Sequence, residues 1–436
     1  MAPTGRAALL AALGTLPVGI LEPSWLGIAA VNAPLALAMV CDFCLAAPAR
    51  KLQFTRSGDT SVRLGDEAVV HTTITNPTTR PLRAQVRDAW PPSAWEPGTA
   101  QTASRHSVRI PPGERRRVTT RLRPTRRGDR SPDRITVRSF GPLGLVSRQA
   151  GHRVPWGLRA LPPFTSRKHL PAKLARLREL DGRTSVLTRG EGTEFDSLRE
   201  YLPGDDTRSI DWRATARQSD VAVRTWRPER DRRILLVLDT GRTSAGRVGD
   251  APRLDAAMDA ALLLGALASR AGDRVDLLAY DRRTRATVRG RAAGDLLPAL
   301  VNTFATLQPE LTETDPRGLS AAALHAAPRR SLVVLLTSLD PAAAEEGLLT
   351  VVSRLTQRHA VLVAAVSDPR ITDMGTARGT VDRVYEAAAA AQFERERRLL
   401  SQQLVRKGVT VVDATPDELA PALADAYLAL KAAGRL

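Results

Sequence analysis

Two apolar stretches open the chain. Residues 7–21 read AALLAALGTLPVGIL, and residues 25–47 read WLGIAAVNAPLALAMVCDFCLAA, broken by Asn32 and Asp42. The second is long enough to span a bilayer, which needs about 20 residues. The first would span only with tight packing or local thinning. Glu22, Pro23 and Ser24 between them predict the tight turn of a helical hairpin, with Trp25 at an interface. A cleaved signal peptide is the rival reading. Against it, Arg6 is the sole charge ahead of the first stretch, and a second apolar stretch follows at once. Arg6 on one side and Arg50, Lys51, Arg56 and Arg63 on the other flank the pair, while the turn carries an acid. That asymmetry predicts a cell-membrane protein with its N-terminus and soluble domains in the cytoplasm. Asp42 falls near the cytoplasmic end, where its carboxylate could reach water.

From Lys51 to about Phe164 the pattern changes to a period of two. Segments such as SVRLGD, AVVHTTITNP, LRAQVRDAWPP, HSVRIPPGE, RRVTTRLRP and DRITVRSFG alternate Val, Ile and Thr with polar residues, and Asn-Pro, Pro-Pro-Gly and Arg-Gly-Asp mark the turns. Half-buried antiparallel strands in a β-sandwich follow from that spacing. PAKLARLREL, within residues 165–188, predicts a short amphipathic helix. Past residue 233, apolar runs alternate with helical periodicity. The runs are ILLVLD (234–239), RVDLLAY, TRATVR, SLVVLLT, AVLVAAV and VTVVD. The helices fall at about Leu254 to Ala271, 292–306, 317–326, 341–356, 380–406 and 416–432. Strands alternating with helices predict an α/β, doubly wound, mostly parallel sheet of Rossmann-like type. The expected division is therefore a transmembrane helical hairpin (1–47), a β-sandwich (48–165), a linker (166–232) and an α/β domain (233–436).

Charge narrows the partners. The formal net charge of +18 suits anionic lipid, nucleic acid or an acidic protein. Aromatics are 4 % of the chain and no basic block is interleaved with them, which argues against specific nucleic-acid binding. Glu114 to Arg127 is strongly basic, with Arg115, Arg116 and Arg117 in series; it is either an exposed strand face or a membrane-facing patch. Cys41 and Cys44 are too few for a disulfide framework, and they end an apolar segment, as membrane-helix thiols would.

The linker is chemically dense. Between residues 189 and 217 it reads RGEGTEFDSLREYLPGDDTRSIDWRATAR. Acids so mixed with arginines predict a salt-bridged network joining the sandwich to the α/β domain. Its members are Arg189, Glu191, Glu194, Arg199, Asp205, Asp206, Arg208, Asp211, Trp212 and Arg217. The alternative is a hydrolase, with Asp205–Asp206 or Glu191 and Glu194 as a general acid–base pair. No phosphate-binding loop, His-Glu-x-x-His or Gly-x-Ser-x-Gly motif is present.

From Gly190 onward this stretch resembles the signature of the domain-of-unknown-function 58 family, membrane-anchored bacterial proteins that carry a von Willebrand factor A-like domain. The resemblance extends to an Arg-Arg-Gly turn (Arg126, Arg127, Gly128). The family's later Asp-Pro-Phe-Gly-Leu motif stands here as Gly141-Pro142-Leu143-Gly144-Leu145. It also implies a metal loop, Asp-x-Ser-x-Ser, where hard oxygen ligands hold a divalent ion and a partner's carboxylate completes the shell. Here the loop is Asp239-Thr240-Gly241-Arg242-Thr243-Ser244. Gly241 removes the first hydroxyl, Thr243 stands for the second, and Arg242 opposes a cation. Thr312 or Thr314 would supply the separate threonine, and Ser338 occupies a position where the family often has Asp. The implied set is a degenerate Mg2+ or Mn2+ site of Asp239, Thr243, Thr312 and Ser338; the metal-free alternative has Asp239 holding the loop by hydrogen bonds. The resemblance further implies a non-enzymatic interaction protein that works with a MoxR-type AAA+ ATPase in a chaperone-like or cell-envelope assembly system. Hydrolysis by the signature carboxylates, and anionic-lipid or nucleic-acid binding through the basic surface, are the competing functions.

Overall fold

The computed structural model describes every residue except Met1, 22–23, 100–102, 188–193, 203–206, 219, 228–231, 344–346 and 377. The chain divides into two units, Met1–Pro163 and Phe164–Leu436, in a mixed α and β, multidomain architecture.

In the first unit, β1 (Ala2–Pro3) leads into α1 (Gly5–Leu21), and α2 (Trp25–Leu45) returns. Ser24 caps α2, its hydroxyl accepting from Gly27 N at 3.1 Å. The two helices approach closely where Gly14 faces Val31, a spacing with no room for a Cβ. Among the described residues, α2 belongs to the one segment long and apolar enough to cross a membrane. Leu9, Leu13, Leu16, Ile20, Leu26 and Val40 are exposed on the pair.

Ten strands follow: β2 (Gln53–Gly58), β3 (Ser61–Arg63), β4 (Ala68–Thr75), β5 (Leu82–Asp88), β6 (Arg105–Ile110), β7 (Arg115–Leu122), β8 (Gly128–Arg130), β9 (Ile135–Phe140), β10 (Val146–His152) and β11 (Leu158–Leu161). They form sheets in the orders β1-β10-β9-β5-β6, β2-β4-β7 and β3-β11-β8. The period of two is literal in β5, where Leu82, Ala84 and Val86 are buried while Arg83, Gln85 and Arg87 are exposed. A shared core packs Ile74 and Val118 of one sheet with Val86, Ile110, Ile135 and Val137 of another. One ion pair is buried with it: Arg56 and Asp88 meet at 2.7 Å, and Trp90 Nε1 donates to Asp88 at 2.9 Å.

Asp42 departs from expectation. It does not reach water; it is fully buried. Its Oδ1 accepts from Leu143 N at 2.7 Å, and its Oδ2 accepts from Leu145 N and Val146 N at 2.8 and 3.0 Å. The carboxylate thus comes from α2 into the turn between β9 and β10. Ala2 of β1 pairs with Ser147 of the same β10. Both ends of the hairpin are therefore fixed at one strand, β10, and its two flanks lie on the same side.

The second unit begins with the helix Leu170–Leu187. β12 (Glu194–Glu200) and β13 (Ala222–Arg227) then form an antiparallel ribbon enclosing the helix Trp212–Gln218. The expected linker, residues 166–232, thus carries paired strands. Next come β14 (Arg233–Asp239), the short pair β15 (Arg247–Val248) and β16 (Ala251–Pro252), β17 (Arg274–Tyr280), β18 (Thr284–Val288), β19 (Leu332–Thr337), β20 (Ala360–Val366) and β21 (Thr410–Ala414). The main sheet has the order β18-β17-β14-β19-β20-β21, with all neighbours parallel except β18 against β17. Helices cover both faces, so its central strands are apolar throughout: Ile234 to Leu238 and Leu332 to Leu336 are buried. Helices Arg253–Arg270 and Pro416–Ala432 pack together, while Pro316–Ala326, Leu349–Leu355 and Val381–Arg406 enclose a second core with Val237, Val333 and Val363. The helix Pro369–Thr376, which the sequence pattern did not predict, buries none of its residues. From β14 the chain builds outward through β17 on one side and β19 on the other. The strand order therefore reverses beside β14, which places a crevice outside the carboxyl ends of β14 and β19.

Replacing Asp42 by Ala strands three N–H groups, two of them buried, at about 1 kcal/mol or more for each buried one. The midpoint of thermal unfolding in detergent should fall by several degrees. Gly141→Ala, whose new Cβ would collide with the Asp42 carboxylate, should produce a similar fall, and an exposed control such as Arg138→Gln should not.

Candidate functional site

β14 ends in Asp239, almost fully buried at the crevice. Three protein donors hold its carboxylate. Gly241 N and the Thr314 hydroxyl donate to Oδ1 at 2.9 and 2.5 Å, and the Thr337 hydroxyl, at the end of β19, donates to Oδ2 at 2.7 Å. Ser244 Oγ donates to the Asp239 carbonyl at 2.7 Å. Gly241 is where it is for space: a Cβ there would strike the Thr314 hydroxyl. The absent first hydroxyl of the loop and the presence of Thr314 beside Asp239 are thus one arrangement.

The other expected residues fall around this centre with different parts. Thr312 contributes its backbone carbonyl, which accepts from Arg242 N at 2.8 Å; the hydroxyl on Asp239 is that of Thr314. Arg242 does not direct its charge at the loop, since its guanidinium pairs with Glu313 at 2.9 Å in the open. Thr240 donates to the buried Asp281 at 3.2 Å, and Arg285 pairs with both Asp281 and Glu310. A divalent ion would find one carboxylate at the centre, already accepting three hydrogen bonds. Among the described residues no group of three or more His, Cys, Asp or Glu could hold a metal. An ion could enter only if Thr314 and Thr337 turned their hydroxyl protons away from Asp239.

Beside Asp239 lies a feature the sequence did not announce. A void of about 10 Å³, room for one oxygen atom, is lined by Thr243, Thr337, Ser338, Arg253 and Val366. Ser338 Oγ and Arg253 Nε are buried there, and neither has a hydrogen-bond partner among the described residues. The neighbouring cations are already engaged: Arg397 grips Asp413 at 2.5 and 2.6 Å, and Arg370 holds Asp368 at 2.8 Å. Burial, and next the charge of Arg397, push the Arg253 guanidinium below its usual pKa. The hydrogen bonds from Arg370 hold Asp368 below the usual carboxylate range. Donor capacity at the void's wall is therefore left unused.

In the signature, Asp211 caps the helix Trp212–Gln218: its Oδ1 accepts from Arg213 N and Ala214 N at 3.0 and 3.1 Å. Trp212 is exposed. Glu194 and Arg199 lie on β12, Arg208 in the turn Thr207–Ser209, and Arg217 in the helix that Asp211 caps. Arg189, Glu191, Asp205 and Asp206 lie outside the described residues, and with them the acid pair on which the hydrolytic alternative depends.

The second unit is thus an α/β domain with a formed polar centre at the switch point of a parallel sheet. Residues 197–412 match the family described as "Protein of unknown function DUF58". The uncharacterized proteins Rv1480 of Mycobacterium tuberculosis (strain ATCC 25618 / H37Rv) and Mb1516 of Mycobacterium bovis are each 28 % identical over 212 residues, or 48 % of this chain. The match spans 65 % of the length of each relative. Among solved structures, the CARDB domain of the PF1109 protein from Pyrococcus furiosus shares 15 % identity, covering 25 % of this chain and 87 % of that one, at a TM-score of 0.19. A score this low establishes no common fold.

Gly241→Ser should restore the missing hydroxyl yet destabilise the chain by about 1–3 kcal/mol, because the added Cβ overpacks against Thr314. Thr314→Ala alone should cost about 1 kcal/mol for the lost hydrogen bond. In the double variant the loss should be smaller than the sum, which urea unfolding of all four proteins measures.

Proposed function

We propose that this chain is a membrane-anchored, non-enzymatic protein-interaction module. In this reading the hairpin spans the membrane from the cytoplasmic side. The strands of the first unit form a β-sandwich, and the second unit is a von Willebrand factor A-like domain. Its partner is a MoxR-type AAA+ ATPase, in a chaperone-like or cell-envelope assembly system. The anchoring rests on the exposed apolar side chains of α1 and α2 and on the attachment of both hairpin ends to β10. The ATPase rests on the family resemblance.

One observation carries the choice of recognition over turnover. The carboxylate at the crevice is committed to internal donors, while the wall beside it keeps Ser338 Oγ and Arg253 Nε without partners. Such a wall suits a polar or acidic group brought by another protein, with Arg253 supplying the positive charge that a metal would supply in a complete loop. A magnesium or manganese ion remains the other way to complete it, through the hydroxyl lone pairs of Thr314 and Thr337.

The full chain, cross-linked in its own membranes and purified in detergent, should carry an AAA+ ATPase detectable by mass spectrometry. Arg253→Gln should lower the recovery roughly tenfold, the loss expected for one charge-assisted hydrogen bond, without moving the melting temperature. Repeated recovery of no ATPase would sink the partnership. Manganese titrated into the full chain should give no saturable heat; a saturable signal abolished by Asp239→Ala would return the site to an ion-mediated one.

A further inference from the structure

Acids and bases of the first unit are not balanced evenly along its strands. The turn that holds Asp42 joins β9 to β10, so that end of the sheets is the one from which the hairpin leaves. Strand register carries this end across the unit. Ala84 lies opposite Ser139, near the close of β9, which puts Arg83 at the same end. Arg83 sits directly opposite Arg109. On the other sheet, Thr75 is opposite Arg115 and Ile74 opposite Arg116. The loops tie these ends together. The Arg80 guanidinium donates to the Cys44 carbonyl at the close of α2. The Asn76 amide donates to the carbonyls of Arg80 and Pro111 at 2.8 and 3.2 Å, and Gly113 N donates to the Asn76 carbonyl at 2.8 Å. Arg6, in the first turn of α1, lies beside Gly144.

Arg6, Arg80, Arg83, Arg109, Arg115 and Arg116 are all exposed, and Glu114 is the exposed acid among them. The other exposed acids mark the opposite end. Asp59 follows the Gly58–Val70 pair, Glu67 precedes the Ala68–Leu122 pair and binds Arg121, Glu96 faces Arg123, and Asp133 N donates to the Ala89 carbonyl just past β5. Like charges held directly opposite one another, as in Arg83 and Arg109, disfavour the folded state. A second such pair, Arg87 opposite Arg105, lies toward the acidic end. At the hairpin end Glu114 offsets one of these charges, and negative charge from outside the unit would relieve the rest.

We propose that this end face binds the anionic phospholipid headgroups of the leaflet from which the hairpin emerges; the proposal rests on the anchoring reading above. Headgroup phosphates accept charge-assisted hydrogen bonds from guanidinium groups. The negative potential of such a leaflet attracts basic groups within a Debye length of it. The position of the face selects this occupant. It surrounds the root of the hairpin, so a nucleic acid or an acidic protein would have to enter between the sheets and the bilayer.

The test uses the full chain in dodecyl maltoside micelles, equilibrated with phosphatidylglycerol or phosphatidylcholine and read by native mass spectrometry. Wild type should retain phosphatidylglycerol preferentially, and the preference should shrink as salt rises. R83Q/R109Q/R115Q/R116Q should lose at least tenfold in retention, from roughly fivefold per arginine. R87Q/R105Q/R121Q/R123Q, equal in net charge change, should leave it intact. Equal retention of both lipids, or equal losses in both variants, overturns the proposal, as does loss of phosphatidylglycerol to an equimolar RNA oligonucleotide. Thermal melts of both variants confirm folding. Alkaline carbonate extraction of membranes tests the anchoring separately. Release of the protein would reject the anchor, whereas retention without lipid preference would reject this proposal alone.

Discussion

A carboxylate taken out of water must be given donors, and Asp42 is given three. Removing an ionised group from solvent costs several kcal/mol unless hydrogen bonds replace its hydration. Here the turn between β9 and β10 supplies backbone N–H groups from Leu143, Leu145 and Val146. Those N–H groups are themselves in need, since a turn buried against a helix cannot pair them along a ladder. Each side satisfies the other. Gly141 lets the helix come this close, because any Cβ there would overlap the carboxylate. Arg148 adds a second tie, its Nε donating to the Phe43 carbonyl at 2.9 Å with the guanidinium 4.2 Å from the Phe43 ring. The apolar hairpin and the sheets of the first unit are therefore one object, and the direction in which the hairpin leaves is fixed by a polar contact.

The second unit meets the same demand at the end of β14. Asp239 could be satisfied by a cation, by water or by the protein, and its loop takes the last course with Gly241 N, Thr314 and Thr337. The substitution of Gly for a hydroxyl residue brings this about. Without a side chain at 241, the Thr314 hydroxyl can occupy the space against Oδ1. The bare backbone at 241 and the donor from Thr314 are therefore linked sterically.

Much of this was legible in the sequence where burial imposes a pattern. ILLVLD and SLVVLLT declare strands covered on both faces, and β5 shows its alternation residue by residue. What escaped reading has physical reasons. The helix Pro369–Thr376 is short and has only Ile371 and Met374 as large apolar residues, too few to mark it in the sequence. β12 and β13 carry charged sequence because a two-stranded ribbon needs no continuous core, and the tract between them looks like a linker. The donors to Asp42 stand about a hundred positions away in the chain, in a turn where the family's own acid is missing, and the resemblance could not show that α2 brings an acid there. Thr312 and Thr314 are equivalent by spacing; which hydroxyl turns toward Asp239 depends on the backbone bond from Arg242 N to the Thr312 carbonyl. Ser338 was singled out as a place where a charge is absent, but its unpartnered hydroxyl next to Arg253 is a property of packing alone.

Arg253 gives the crevice its character. A group that serves as a general base must offer a free lone pair to the substrate's proton, and the oxygens of Asp239 face three donors. A guanidinium partly withdrawn from water, with its Nε unbonded, is poised to donate. Its neighbours Arg397 and Arg370 have their own acids, Asp413 and Asp368, at hydrogen-bonding distance. An incoming acidic group would find the Nε of Arg253 without a hydrogen-bond partner among the described residues, although Asp368 and Asp340 already lie within reach of its charge. In the proposed interaction role, that Nε would hold a partner's acid in one geometry.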